Sequence, residues 1–111
     1  MNLKLRQVEQ VTAIDIDGKL DTNTSVPALE QLMAHLEASP ASVLINLEAL
    51  EFASSAGLRV LLRIAKHVRG YSGELKVAGA QGMVKEVLEI SGFDSLLNLY
   101  DSEELALAAF S

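Results

Sequence analysis

The stretch EFASSAGLRVLL, residues 51–62, joins a short apolar run to a segment with helical periodicity. Two serines, Ser54 and Ser55, lie at the junction, and Ala56 and Gly57 keep the turn small. After the turn, apolar residues recur at the three- and four-residue spacing of one helix face: Leu58, Leu61, Leu62, Ala65 and Val68. The stretch therefore predicts a polar turn that leads into an amphipathic helix.

Strands and helices alternate on both sides of this turn. The β-branched run SVLINL, residues 42–47, has the composition of a central strand that is buried on both faces. Hydrophobic periodicity predicts the other elements: strands at 2–7 and 11–17, a helix ending at Pro40, the helix beginning at Ser55, a strand at 74–78, a helix at 82–90, a short strand at 96–100 and a final helix. The order β-β-α-β-α-β-α-β-α indicates a single α/β domain, residues 1–111, with a partly parallel sheet.

Polar residues mark the expected helix starts. The segment DGKLDTNTS, residues 17–25, is predicted to be a loop, and Thr24 or Ser25 is the expected cap of the first helix. Pro27 then falls in the first turn, where its missing N–H costs little. Asp101, in a capping-box pattern, is the expected cap of the final helix.

Composition and charge argue against several classes of function. The net charge is -6, and nucleic-acid binding depends on a basic surface, so no direct nucleic-acid contact is expected. The absence of cysteine removes disulfides, thiol nucleophiles and cysteine-bound zinc, and no cofactor or metal is predicted. No apolar run is long enough to predict membrane insertion. The first residues lack the apolar block of a signal peptide, so a cytoplasmic protein is expected.

The serine turn permits three chemical interpretations. In the first, a serine only caps the helix, accepting a bond from an unpaired backbone N–H for about 1 kcal/mol. In the second, a serine is a nucleophile, but the turn lacks the first glycine of G-x-S-x-G and needs a base. The two histidines are His35, late in the first helix, and His67, about three turns along the second. Neither is expected to reach the serines, so serine hydrolysis is disfavoured.

The third interpretation is phosphorylation. A helix N-terminus favours negative charge, and a phosphate adds about -1.5 to -2 charges. Arg59, four residues after Ser55, is within reach of a phosphate at that position. Such a modification changes the surface more than the fold, and it repels a partner that reads this surface. These residues alone leave the cap and the phosphorylation interpretations both open.

The sequence also resembles a known family over nearly its whole length. The most specific part is the apolar strand followed by the serine turn and GLRVLL. Three further segments support it: AIDIDGKLDTNTSVPALEQL, GELKVAG and VKEVLEISGFDSLLNLYDSEELAL. Together they are similar to the STAS domains of anti-sigma factor antagonists. The resemblance implies an α/β STAS fold, a mixed and mostly parallel β-sheet with about four helices packed mainly on one side.

In that family the serine turn commonly reads Asp-Ser-Ser/Thr/Ala-Gly, and the serine after the aspartate is phosphorylated by the partner kinase. Carried over residue by residue, the aspartate falls on Ser54, the phosphoacceptor on Ser55 and the glycine on Gly57. The aspartate is therefore absent from this chain, and Ser54 becomes an alternative acceptor. The resemblance implies that Ser55 is the phosphorylated residue.

The implied mechanism is partner switching. Unphosphorylated protein would bind an anti-sigma factor that is also an ATP-dependent serine kinase, which would free a sigma factor. Phosphorylation of Ser55 would end that binding, and a metal-dependent serine phosphatase would restore it. The chain would supply an acceptor serine and a docking surface, and it would not be an enzyme. The alternative within the same fold is a non-switching scaffold or a transporter-accessory subunit.

The resemblance places the docking surface at the serine turn, the start of the second helix and the loop before the first helix. Its implied residues are Asp21, Thr22, Asn23, Thr24, Ser54, Ser55, Ala56, Gly57, Leu58, Arg59 and Arg63. The polar residues 21–24 are equally consistent with a turn and a helix cap. Arg59, Arg63 and Lys66 form a basic strip at i, i+4 and i+7, which is either a solvated helix face or a patch for an acidic partner surface.

Overall fold

The structure is a computed structural model and describes residues 1–93 and 97–110. Its elements in chain order are β1 (Asn2–Val8), β2 (Val11–Leu20), α1 (Thr22–Ala38), β3 (Ser42–Asn46), β4 (Leu50–Ala53), α2 (Ser55–Gly70), β5 (Leu75–Ala78), α3 (Gly82–Ile90), β6 (Leu99–Tyr100) and α4 (Glu103–Ala108). The predicted alternation of strands and helices is confirmed, and β4 is added to it.

The sheet is mixed and mostly parallel, as predicted. β1 pairs antiparallel with β2 as a hairpin, and β2, β3, β5 and β6 are paired in parallel. The spatial order is β1-β2-β3-β5-β6, and β4 lies beside the end of β2. Parallel strands connected by helices all end at the same edge of a sheet. α1, α2 and α3 therefore all begin at one edge.

The helices are distributed unequally over the two faces of the sheet. α1, α2 and α3 cover one face, where Ile14 and Ile16 of β2 pack with Leu32, Leu61 and Leu88 in the larger core. α4 covers part of the other face, over a smaller cluster of buried residues: Val11, Ala13, Leu44, Ala78 and Ala106. This arrangement confirms the expected fold, with most of its helices on one side.

The loop predicted at 17–25 is wrong in its first part, because β2 continues to Leu20. Gly18 has a φ of +91°, in the region that favours glycine, and the β2–β4 register shifts directly after it. This irregularity lets the strand continue and pair with β4. The strand β4 was not among the predicted elements, because Glu51 and Phe52 are both exposed and break the alternation of a half-buried strand.

α1 begins earlier than predicted. Its N-cap is Asp21, and not Thr24 or Ser25, because β2 brings the chain to the edge of the sheet at the preceding residue. Pro27 consequently lies in the second turn of α1 and not in the first. The polar residues after the cap are thus the first turn of a helix.

The C-terminal segment differs from the prediction at two points. Ser102, and not Asp101, caps α4, and its hydroxyl accepts a hydrogen bond from the N–H of Leu105 at 3.2 Å. Of the strand predicted at 96–100, the part that forms a strand is β6. Leu96 lies outside the described residues. The short β6 nevertheless pairs in parallel with β5, as the alternating order requires.

A polar cluster fastens α4 to the sheet. Arg6 of β1 donates two hydrogen bonds to Asp15 of β2, at 2.7 and 2.8 Å, and its Nη2 donates to Glu103 Oε1 of α4 at 2.5 Å. Asn46 of β3 donates to the same carboxylate oxygen at 3.1 Å. The hydrogen bond from Arg6 holds the pKa of Glu103 below its usual value. The first strand and the last helix are therefore joined directly.

Candidate functional site at the serine turn

Two helix N-termini meet at the edge of the sheet where the parallel strands end. β2 and β4 lie side by side, with Leu20 opposite Ala53. The next residue of each strand is a helix N-cap, Asp21 for α1 and Ser54 for α2. The backbone N–H of Ser54 donates to the carbonyl of Leu20 at 3.0 Å. The fold thus brings together the two segments that the family resemblance implies for the docking surface.

The two serines of the turn have different roles in the structure. Ser54 is half-buried, and its Oγ accepts a hydrogen bond from the N–H of Gly57 at 3.2 Å, so it is the N-cap of α2. Ser55 is the first residue of α2 and is exposed. Within the part of the chain that the structure describes, its hydroxyl has no hydrogen-bond partner. The accessible, unengaged hydroxyl of the turn is therefore that of Ser55.

Gly57 permits a close approach between α2 and β2. A Cβ atom at this position would lie 2.3 Å from the carbonyl oxygen of Leu20 and 3.0 Å from its Cγ. Cβ atoms in proteins essentially never come that close to another heavy atom, so only glycine fits here without a movement of the backbone. The first turn of α2 therefore rests directly on the end of β2, and Gly57 is needed for packing.

A reciprocal capping network organises the start of α1. Asp21 Oδ1 accepts from the N–H groups of Asn23 and Thr24 at 2.9 and 3.1 Å. Thr24 Oγ1 accepts from the N–H of Asp21 at 2.9 Å and donates to the carbonyl of Lys19 at 3.0 Å. Thr22 and Asn23 are exposed. The segment thus combines two residues engaged in capping with two that are available to a partner.

The remaining predicted site residues divide by burial. Ala56 is half-buried, and Leu58 is 6% exposed and belongs to the larger core. Arg59 and Arg63 are exposed on the outer face of α2. The side chains of Arg59 and Arg63 are thus accessible to solvent, whereas Leu58 and Gly57 are buried under the serine turn.

Two exposed apolar side chains close to the caps were not identified from the sequence. Val26, one turn into α1, is 60% exposed, and Phe52, two residues before Ser54, is 39% exposed. An isolated apolar residue gives the same sequence signal whether it is buried or exposed, so nothing in the pattern distinguishes these two. Each adds exposed apolar area within a few residues of a helix N-cap, Val26 after Asp21 and Phe52 before Ser54.

Among residues 1–93 and 97–110 the serine turn has no neighbouring histidine. His67 lies near the C-terminal end of α2, edge-on to Tyr71 with ring centroids 5.6 Å apart, and His35 lies in the last turn of α1. The same residues contain no group of three or more acidic, histidine or cysteine side chains placed to hold a metal ion. Nor is any helix in this part of the chain long and apolar enough to cross a membrane.

We expect Ser54→Ala to lower the free energy of unfolding by about 1 kcal/mol, because it removes the cap of α2. Ser54→Asp should stay within about 0.5 kcal/mol of the parent, since aspartate caps as well as serine and its charge suits a helix N-terminus. Ser55→Ala, at the exposed neighbouring position, is the matched control and should be nearly neutral. Urea denaturation measures all three. An equal loss for both alanine variants would contradict the cap assignment.

The sequence profile of the STAS domain matches residues 2–106. This chain belongs to the STAS domain family. BtrV of Bordetella bronchiseptica, by its name a candidate anti-sigma factor antagonist, is 34% identical to it over 110 residues, 99% of this chain and 95% of that protein. The anti-sigma F factor antagonist of Paenibacillus polymyxa is 28% identical over 110 residues, 96% of this chain and 94% of that protein.

Solved structures share the STAS fold at lower identity. The crystal structure of a candidate anti-sigma factor antagonist from Thermotoga maritima superposes with a TM-score of 0.92 at 17% identity, over 97% of this chain and 93% of that one. The antagonist SpoIIAA superposes in its unphosphorylated form with a TM-score of 0.80 at 19% identity, over 96% of this chain and 93% of that one. The phosphorylated form from Bacillus gives 0.74 at 17% identity, over 96% and 97%.

Proposed function

We propose that this STAS domain is an anti-sigma factor antagonist, and that phosphorylation of Ser55 switches off its binding to a kinase-type anti-sigma factor. The names of the two relatives, which match the chain over nearly its whole length, support the antagonist role. The observation that carries the switch is the exposed hydroxyl of Ser55, which is unengaged within the described residues, beside the Ser54 hydroxyl that caps α2.

A phosphate on Ser55 would stand at the positive end of α2. The first N–H groups of a helix lack intrahelical partners, and together with the helix dipole they favour a negative group. Ser55 is exposed, so a phosphate would need no repacking of the core. The phosphate adds about -1.5 to -2 charges to the surface that a partner reads. Phosphorylation would therefore alter recognition while the fold stays intact.

The proposed docking surface surrounds Ser55. Thr22 and Asn23 of α1 lie exposed on one side, and Arg59 and Arg63 extend along α2 on the other. A partner that covers this surface also covers the acceptor hydroxyl. Binding and phosphorylation by one kinase-type partner are thus geometrically compatible, and a phosphorylated serine would then oppose further binding.

The proposed cycle takes its chemistry from the partners. The anti-sigma factor, acting as a serine kinase, transfers the γ-phosphoryl group of ATP to the Oγ of Ser55 and releases ADP, and the hydroxyl proton passes to a base on the kinase. The kinase then dissociates and again binds its sigma factor. A metal-dependent serine phosphatase hydrolyses the phosphoester and restores the antagonist. ATP and the metal belong to those partners, and the proposal places the cycle in the cytoplasm.

The aspartate of the family pattern, replaced here by Ser54, is compatible with this proposal. Aspartate and serine are nearly equal as N-caps, so Ser54 preserves the bond to the N–H of Gly57. The replacement removes one negative charge beside Ser55. The unphosphorylated turn is therefore less negative than a turn that carries the aspartate. The charge added by phosphorylation is correspondingly a larger fraction of the total charge of the turn.

Phosphopeptide mass spectrometry on the protein purified from its own cells tests the proposal. We expect a phosphate on Ser55 that a metal-dependent serine phosphatase removes, and none in the Ser55→Ala variant. Phosphate confined to Ser54 would contradict the acceptor assignment. An unmodified turn during growth and under several stresses would contradict the switch and favour a non-switching scaffold or a transporter-accessory subunit.

A further inference from the structure

The outer face of α2 is basic in a chain that is acidic overall. The basic strip, Arg59, Arg63 and Lys66, is exposed along its whole length. Residues 55–70 contain no aspartate or glutamate, although the chain has 15 acidic and 9 basic residues and a net charge of -6. A third of the basic residues of the chain are thus concentrated on one face of one helix.

The basic strip takes no part in the ion pairs of the described residues. Within residues 1–93 and 97–110, none of its three side chains forms a salt bridge or a side-chain hydrogen bond. Among the same described residues, Arg6, Lys76 and Lys85 do each have a carboxylate oxygen within 4 Å. The cations of the strip are therefore available to a group outside the chain.

The charge pattern of the strip differs from that of an ordinary solvated helix face. Solvated faces usually mix both signs, with opposite charges four residues apart that stabilise the helix. Arg59 and Arg63 are like charges at that spacing, which destabilises an isolated helix slightly. Repulsion within the strip thus slightly lowers the stability of the free protein, and a negatively charged partner surface would offset this repulsion.

The strip is continuous with the serine turn. Arg59 lies four residues after Ser55 in α2, and Lys66 lies seven residues further. At 1.5 Å per residue, the strip extends the proposed docking surface along α2 by about 16 Å from the serine. A partner seated over Ser55 that is as wide as an ordinary protein interface therefore also covers the strip.

We propose that the basic strip docks against an acidic surface of the protein that binds at the serine turn, and that it accelerates the association of the two. This inference rests on the proposed function and names the chemistry of that partner. Complementary charges raise association rates by steering, and the effect falls as salt screens them. A nucleic acid is a poorer fit, because three cations on a chain of net charge -6 leave the rest of the surface repelling phosphates.

The test compares two charge-reversal variants of the full chain by stopped-flow or biolayer interferometry. The probe is the ATP-binding protein that wild type retains from its own cells and Ser55→Asp does not, purified before use. Arg63→Glu/Lys66→Glu changes the strip, and Lys4→Glu/Lys85→Glu changes exposed lysines on β1 and α3. Each reversal lowers the net charge by 2, so both variants go from -6 to -10. Because the two variants have the same net charge, a difference between their association rates reports the position of the changed charges.

We expect the strip variant to lose about tenfold in association rate at low salt, with a flatter salt dependence, and the control to lose less than about threefold. Equal rates for both variants, with Ser55→Asp still defective, would overturn the acidic-surface inference and leave the proposed function standing. If wild type retains no ATP-binding protein, or if Ser55→Asp retains the same one, both the proposed function and this inference are overturned. Circular dichroism and thermal melting confirm that each variant is folded.

Discussion

Replacing Ser55 by aspartate is expected to weaken binding to the anti-sigma factor kinase about 100-fold. A negative charge that faces another negative charge across an interface costs several kcal/mol of binding free energy. The residue is exposed at the start of α2, so the substitution leaves the core untouched. An acidic residue is also favoured at a helix N-terminus, and the thermal midpoint should therefore be unchanged. Isothermal titration calorimetry with the purified kinase measures the affinity directly.

Ser55→Asn is the matched control for this prediction. Asparagine has nearly the size and shape of aspartate without its charge, so it should bind within about threefold of wild type. Ser55→Ala should bind like wild type and accept no phosphate. Wild-type affinity of the aspartate variant would contradict the switch. An equal loss for asparagine and aspartate would show that the site senses the volume of the side chain and not its charge.

Gly57→Ala is expected to lower the free energy of unfolding by about 3 kcal/mol, because the new methyl group overlaps the backbone of β2. The overlap is with the carbonyl oxygen of Leu20, 2.3 Å from the added atom, and a backbone atom within a paired strand cannot turn aside as a flexible side chain can. α2 must therefore shift away from β2. Because Ser54 and Ser55 move with it, partner binding should weaken as well.

Gly70→Ala, in the last turn of the same helix, is the matched control. A Cβ atom there meets nothing within 4 Å, and alanine favours the helix. This variant should be equal to the parent or more stable by up to about 1 kcal/mol. Urea denaturation of both variants isolates the effect of the clash from the general effect of replacing glycine in α2. Equal free energies of unfolding for Gly57→Ala and Gly70→Ala would show that α2 can move away from β2 without loss of stability.

Features that follow from the spacing of apolar side chains along a single strand or helix were predictable from the sequence. The alternation VTAIDID predicts the two faces of β2, and the apolar stripe from Leu58 to Val68 predicts the buried face of α2. The two faces of β2 are confirmed, since Ile14 and Ile16 lie in the larger core and Val11 and Ala13 in the smaller cluster. The stripe of α2 is confirmed except that Leu62 is only half-buried, and the buried face also includes Val60 and Ile64. The resemblance to STAS domains supplied what periodicity does not contain, which is the packing of most helices on one side of a mixed, mostly parallel sheet.

Features that depend on where two distant segments meet were not predictable. Residues 21–25 are five consecutive polar residues, each able to begin or cap a helix, and the choice of Asp21 depends on how far β2 pairs with β4. Likewise, either serine of the turn could be the cap, and the structure assigns that role to Ser54 because its N–H is held by Leu20. Register between strands therefore decides which of several equivalent residues becomes the cap and which is left exposed.

The contact between Arg6 and Glu103 has a consequence for synthesis on the ribosome. Translation completes β1 and β2 long before it reaches α4, so the partners of the polar cluster are separated by nearly the whole chain. Until α4 emerges from the ribosome, the apolar patch of Val11, Ala13, Leu44 and Ala78 is not covered by Ala106, and the nascent chain exposes it to chaperones and proteases. Closure of this face therefore waits until α4 has left the ribosome, and a product truncated before α4 would leave the patch exposed.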